Sequence, residues 1–159
     1  IMFLPNIRFE SFQCVTVDFL RSAGIEAVIY DIDETLAPRG VTTPSKEAAG
    51  YLTQLSRVFP VAFLSNNKIE RVQGYNSHFG FPVYPDAKKP LKTAFLKAAR
   101  DFGLPPNKIA VVGDQLFTDI AGGNRAGMYT ILVEPVKIHH GWFYRLKRLI
   151  ERIILKDKE

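Results

Sequence analysis

The chain has 159 residues, 47% hydrophobic and 23% charged, which is the composition of an ordinary globular protein long enough to bury a core. Its formal net charge of +5 favours anionic partners such as phosphates, nucleic acid or an acidic membrane surface, without choosing among them. No apolar run approaches the ~20 residues that span a bilayer, no segment repeats, and the single cysteine, Cys14, excludes an intrachain disulfide and suits a reducing, cytoplasmic compartment.

In chain order, the opening "IMFLPNIRFE" has an apolar patch but neither a basic leader nor a long hydrophobic stretch. No signal peptide is expected there. The first strong element is "AVIYD" (27–31), a consecutive apolar run of the kind buried on both faces of a parallel sheet. It runs straight into Asp31, Asp33, Glu34 and Thr35. "PSKEAAGYLTQLSRV" predicts a helix with Pro44 as its first residue. "VAFLS" (61–65) predicts the next strand and ends in Ser65-Asn66. A short helix between Lys68 and Phe79 and a weaker strand, "FPVY" (81–84), follow. "PLKTAFLKAARDFG" predicts a helix opened by Pro90 and stopped by Gly103, just after the basic pair Lys88-Lys89. "IAVVGD" (109–114) is a third buried strand, ending in Asp114, with Asp119 five residues later. "GGNRAG" (122–127) lacks the Lys-Ser/Thr of a phosphate-binding P-loop and reads as a helix end and turn before the last strand, "YTILV" (129–133).

Alternating strands and helices predict an α/β, doubly wound, Rossmann-like sandwich with a mainly parallel sheet of about five strands. In such folds the ligand crevice lies outside the carboxyl ends of the strands. That places Asp31, Asp33, Ser65, Asn66, Lys89, Asp114 and Asp119 along one rim. Clustered carboxylates repel and need a cation or a proton. Asp31 and Asp114 could share Mg²⁺, a hard ion that takes oxygen ligands and is typically held by one or two carboxylates plus substrate phosphate. A carboxylate can attack phosphorus, a second acid can protonate the leaving oxygen, and Ser65, Asn66 and Lys89 could steady the phosphoryl charge.

These residues resemble a known family. "DIDETLAP" is similar to the first signature of the haloacid dehalogenase-like (HAD) superfamily, Asp-x-Asp-x-Thr; "FLSNN" resembles its second, "KKP" its third and "VVGDQLFTD" its fourth. All four stand in the family's order and cover about Ala27 to Asp119. "GDQLFTDIAGGNRAGMYTILVEP", with the early "FLP" and "SNN", resembles the YqeG-type branch within subclass III, which is related to the mitochondrial phosphatidylglycerophosphatases. The resemblance implies Asp31 as nucleophile and Mg²⁺ ligand, and Asp33 as general acid/base whose backbone carbonyl reaches the metal. It implies Thr35 as support for the loop, Ser65 and Asn66 on the phosphoryl group, and Lys89, rather than Lys88, for charge neutralisation. Asp114 and Asp119 complete the metal set. Glu34, where many relatives of the branch carry Asn, is read as a bystander. The adjacent acids of receiver domains do not match acids that alternate around Ile32.

The resemblance further implies a phosphomonoester phosphatase acting through an aspartyl-phosphate, with phosphatidylglycerophosphate as substrate. Soluble sugar or nucleotide phosphates, nucleic-acid ends, and a non-enzymatic module for an anionic partner are the alternatives. The intervals after the first motif and between Asn67 and Lys88 are too short for a cap domain, so the crevice should be open.

Residues 1–159 read as one domain ending in a basic amphipathic helix at about 142–156, "WFYRLKRLIERIILK". Trp142, Phe143, Leu146, Leu149, Ile150, Ile153 and Ile154 recur at helical spacing among Arg145, Lys147, Arg148, Arg152 and Lys156. Its stripe would pack on the domain or a partner subunit, or lie on anionic lipid at the inner face of a membrane, or the helix would contact nucleic acid. His139 and His140 are adjacent and point apart, so no metal is expected on them. The sequence leaves the oligomeric state open.

Overall fold

The computed structural model describes residues 2–136 and 142–156, without the side chains of residues 142–145; His139, His140, and the side chains of Trp142, Phe143 and Arg145 thus lie outside the described residues. Six parallel strands form one sheet: β1 (Ile7–Phe9), β2 (Ala27–Tyr30), β3 (Val61–Leu64), β4 (Val83–Tyr84), β5 (Ile109–Gly113) and β6 (Tyr129–Val133), in the order β1-β6-β5-β2-β3-β4. The helices are α1 (Val17–Ser22), α2 (Lys46–Ser56), α3 (Ile69–Asn76), α4 (Thr93–Phe102), α5 (Ala121–Arg125) and α6 (Trp142–Lys156).

The expectation of about five strands falls one short. The opening segment contributes β1, which pairs with β6 at the sheet edge, Ile7 opposite Ile131 and Phe9 opposite Val133. β1 is three residues long, carries Arg8 at its centre and is only half buried. Such an edge strand lacks the apolar run that marks a central one.

β2, β3 and β5 are buried on both faces because helices cover both. Val28, Tyr30, Val61, Phe63, Ala110 and Val112 pack with Leu20, Leu52 and Val72 of α1, α2 and α3. The alternate residues Ala27, Ile29, Ala62, Leu64, Ile109 and Val111 pack with Phe95, Ala98 and Ala99 of α4. Period-two alternation sends neighbouring residues to opposite faces, so each strand feeds both cores. A fully buried Phe such as Phe63 contributes about 1.5–3 kcal/mol relative to exposure.

Local chemistry fixes the helix ends. Ser45 Oγ accepts the Ala48 N–H at 3.1 Å, so α2 begins after Ser45 and Pro44 stands just ahead of the cap instead of inside the first turn. α4 ends at Gly103, which adopts φ 68°, a left-handed conformation that costs glycine little. "GGNRAG" lies mostly within α5, and only Ala126 and Gly127 form the turn into β6.

The chain runs from β2 outward through β3 to β4, then crosses to β5 on the other side of β2 and on to β6. The direction of winding reverses between β2 and β5. A doubly wound sheet opens its ligand crevice at such a point.

Candidate active site

Val28 to Tyr30 align with Ala110 to Val112, so β2 and β5 end level with each other. The Asp31 N–H continues the ladder, donating to Val112 O at 3.0 Å. Asp31 and Asp114, 83 positions apart by number, therefore emerge side by side. Beyond Asp31 the chain folds into a tight turn, in which Thr35, Leu36 and Ala37 donate backbone N–H groups to Ile32 O. The turn buries Thr35 and directs its hydroxyl to Asp31 Oδ2 at 3.1 Å and to Asp114 Oδ1 at 3.4 Å.

Asp119 arrives from the π-helical turn Leu116–Ile120, directly after β5. Gly113 makes this approach possible: a Cβ there would stand 2.4 Å from the Asp119 carboxylate. Asp31, Asp114 and Asp119 each offer an oxygen within 4.8 Å of the others, and among the described residues these three form the cluster of acids that could hold a metal.

Lys89 is buried against this cluster. Its Nζ donates to Asp119 Oδ1 at 2.5 Å, Asp31 Oδ1 at 3.1 Å and Leu64 O at 3.3 Å. Lys88 is exposed. Asn66 aligns Lys89 through its backbone: Asn66 Oδ1 accepts the Lys89 N–H at 2.7 Å, and its amide donates to Lys89 O at 3.4 Å. Ser65 is buried at the end of β3 and its hydroxyl accepts the Asn67 N–H at 3.0 Å.

Asp33 stands apart from the three clustered acids. Its carboxylate accepts Arg71 Nη2 at 2.5 Å, the Gly40 N–H at 3.3 Å and the amide of Asn67. The structure thus separates two groups of acids: a buried set around Lys89, and Asp33 at the mouth.

The electrostatics follow from this packing. Burial, with the charge of Asp119 alongside, pushes the Asp31 carboxyl up to about 7, against the pull of Lys89 and the Thr35 hydrogen bond. Burial and the charges of Asp31 and Asp119 raise Asp114 well above the carboxylate range, opposed by Arg148. Burial alone would lower the Lys89 ammonium, but Asp119 and Asp31 outweigh it and hold it above the usual lysine range. Fully ionised, the three acids carry more negative charge than Lys89 alone balances, which is why burial holds protons on Asp31 and Asp114 in the absence of a cation. Three converging hard oxygen donors fit a divalent cation such as Mg²⁺, which favours carboxylates over softer ligands.

Asp31, Asp33, Ser65, Asn66, Lys89 and Asp119 line a crevice of about 240 Å³, joined by Arg39, Asn67, Gln115 and Thr118. This is below the ~300–1,000 Å³ of pockets that enclose a whole small molecule. A larger hollow of about 670 Å³ along α4, lined by Leu96, Ala99 and Leu104 among others, contains no acid.

Three features were not evident in the sequence. Glu34 is fully buried at φ 68°, and its charge acts on Asp114. It lies outside the cluster, but its surroundings are not those of a solvent-facing bystander. The one signal in the sequence was the departure itself, Glu where many relatives of the branch carry Asn, since Asn adopts a left-handed backbone more readily than Glu. Arg71 reaches Asp33, and Arg148 of α6 reaches Asp114; neither pairing has a local sequence pattern.

The HAD-hydrolase-like family model matches residues 87–136. The chain is 33% identical over 154 residues to the probable phosphatase YqeG of Bacillus subtilis (strain 168), covering 96% of this chain and 90% of that protein. It is 27% identical over 168 residues to the chloroplastic/mitochondrial phosphatidylglycerophosphate phosphatase 1 of Arabidopsis thaliana, covering 96% of this chain but 47% of that protein, about half its length. Among solved structures, an uncharacterized protein from Listeria monocytogenes serotype 4b superposes with a TM-score of 0.60 at 22% identity, over 74% of this chain and 85% of its own, a likeness of fold.

Proposed function

The chain belongs to the HAD-like hydrolases, as an enzyme of their YqeG-type phosphatase branch, and on that premise we propose a Mg²⁺-dependent phosphomonoester phosphatase that acts on phosphatidylglycerophosphate through an aspartyl-phosphate. The observation that carries this reading is the buried set Asp31, Asp114 and Asp119: Asp31 and Asp119 line the crevice with Lys89, which bonds both, and Asp114 is fully buried within reach of them.

An Asp31 carboxylate oxygen attacks phosphorus while the bond from phosphorus to the substrate alcohol breaks. Asp33, at the mouth, gives its proton to the departing alkoxide. Asp33 then takes a proton from water, which attacks the phosphoryl group, releases inorganic phosphate and frees Asp31. Lys89 and Ser65 neutralise and orient the phosphoryl oxygens, and Asn66 keeps Lys89 in register through its backbone. Asp31, Asp114 and Asp119, with the Asp33 backbone carbonyl, would hold Mg²⁺. When bound, the ion offsets the carboxylate charge and stabilises the negative charge of the phosphoryl group.

The crevice is large enough for the phosphoryl end of a substrate and leaves the remainder outside. This suits a head group whose body stays in a lipid layer. α6 supports the same reading. Leu146, Leu149, Ile150 and Ile153 are exposed along one side of it, bordered by exposed Arg152 and Lys156. An outward apolar stripe edged with cations matches an anionic lipid surface. No helix among the described residues is long and apolar enough to cross a membrane. The reading is of peripheral contact through α6, with the domain on the cytoplasmic face.

The test is Mg²⁺-dependent phosphate release from a panel: phosphatidylglycerophosphate in mixed micelles, phosphatidic acid, glycerol phosphates, sugar and nucleotide phosphates, and a 3′-phosphorylated oligonucleotide. A clear preference for phosphatidylglycerophosphate is expected. Preference for a soluble phosphate or a nucleic-acid end would overturn the substrate and leave the chemistry standing.

A further inference from the structure

The turn that carries Asp114 is held from outside the sheet by α6. Arg148 Nη1 donates to Asp114 O at 2.7 Å, and Nη2 donates to Asp114 Oδ2 at 2.9 Å. Lys147 Nζ donates to Gln115 Oε1 at 2.8 Å. Glu151 is buried and accepts Arg148 Nη1 at 2.9 Å. Two consecutive residues, Asp114 and Gln115, each accept a hydrogen bond from a side chain of this helix. Leu155 adds an apolar contact to the cluster of Leu116, Ile120 and Leu132.

The two carboxylate oxygens of Asp114 are used differently. Oδ2 faces Arg148, while Oδ1 faces Thr35, whose hydroxyl also reaches Asp31 Oδ2. With Oδ2 pinned, Oδ1 is presented to the cluster as a single donor in a fixed direction. Direction matters because Mg²⁺ requires near-ideal octahedral geometry. Hydrogen-bond partners behind a metal ligand typically control ~10–100-fold in affinity. A guanidinium beside a metal would ordinarily repel it, but Glu151 pairs with Arg148 and offsets that charge.

We propose that Arg148 is a positioning residue of the metal centre, holding Asp114 as a one-oxygen ligand and making α6 a working part of the site. This rests on the reading of Asp114 as a metal ligand. It assigns the chain's last described helix a role beyond contact with a surface.

The experiment is Mg²⁺ binding to the full chain by titration calorimetry, with the Mg²⁺ dependence of phosphate release followed in parallel. Arg148→Ala is expected to weaken Mg²⁺ binding by about tenfold or more, with kcat recovering at saturating Mg²⁺. Arg148→Lys replaces the fork by a single donor and should fall between the two; it also carries the comparison if the alanine variant does not fold. Lys147→Met loosens the same helix without touching Asp114 and should keep wild-type affinity. Equal or tighter Mg²⁺ binding by the Arg148 variants would overturn the proposal, as would an equal loss in Lys147→Met. A wild-type chain that binds no divalent cation would overturn the metal reading itself, and this inference with it.

Discussion

Lys89 Nζ lies 3.1 Å from Asp31 Oδ1, joining a residue on the approach to α4 to the carboxylate that ends β2. The same ammonium reaches Asp119 at 2.5 Å, so one buried cation serves two buried acids. Removing it leaves both uncompensated. Lys89→Met should reduce kcat on an aryl phosphate by roughly 10²–10³, the usual scale for losing one preorganised charge-stabilising donor. It should also cost about 3–5 kcal/mol of stability in chelator, because breaking a buried ion pair strands its partners. Steady-state kinetics and urea unfolding measure the two effects. Unchanged kcat would remove Lys89 from the phosphoryl site.

Asp33 stands at the mouth, clear of the buried cluster, where a leaving alcohol would depart. A general acid matters most when the leaving group is poor. Asp33→Asn should therefore slow an alkyl phosphate by about 10²–10⁴ and an aryl phosphate much less. Comparison of kcat/KM across leaving groups of graded acidity tests this. Equal losses for all of them would point to a purely structural role.

Gly113 provides the clearance through which Asp119 enters the cluster. Gly113→Ala places a methyl where the carboxylate now lies, so Asp119 must move. The expected result is a folded protein with metal affinity and turnover each reduced at least tenfold, a loss on the scale of disturbing a ligand's support. Calorimetry and thermal melting on one preparation separate the two effects. Wild-type Mg²⁺ affinity in this variant would exclude Asp119 from the metal set.

Burial holds the Asp31 carboxyl near 7 and Asp114 above its ordinary range, so the metal-free folded state keeps protons that the unfolded chain releases near pH 4. Stability falls with pH wherever the folded state binds more protons. The contribution of these two groups should therefore be full below about pH 4 and be lost as pH rises through about 7. In chelator the protein should melt at a higher temperature at pH 5.5 than at pH 8, and Asp31→Asn should flatten that slope. Mg²⁺ requires the deprotonated acids, so it should raise the melting temperature more at pH 8. A metal-free melting temperature that climbs from pH 5.5 to 8, with no effect of Asp31→Asn, would contradict this.

Much of the site was legible because its residues follow the ends of strong apolar runs. Asp31, Ser65 and Asp114 each stand directly after a strand that is recognisable by composition, and a doubly wound sheet brings those ends to one edge. β1 was not legible, since two half-buried residues flanking exposed Arg8 are too few to show a period. α6 shows a different limit. Helical spacing groups Leu146, Leu149, Ile150 and Ile153 on one side, but it does not say which side turns inward. The structure turns Arg148, Glu151 and Leu155 toward the domain and leaves those four apolar residues exposed. Arg71 and Arg148 illustrate the remainder, since a contact between distant positions is set by the packing of whole elements.

Asp31 as nucleophile is tested by phosphate release from an aryl phosphate with saturating Mg²⁺ by wild type and Asp31→Asn. The amide matches the carboxylate in size and removes one of three mutually repelling acids, so the variant should melt no lower than wild type in chelator. Its turnover should fall on the order of 10⁴-fold or more, as expected when a covalent nucleophile is lost. A folded Asp31→Asn protein that turns over near the wild-type rate would exclude Asp31 as the nucleophile.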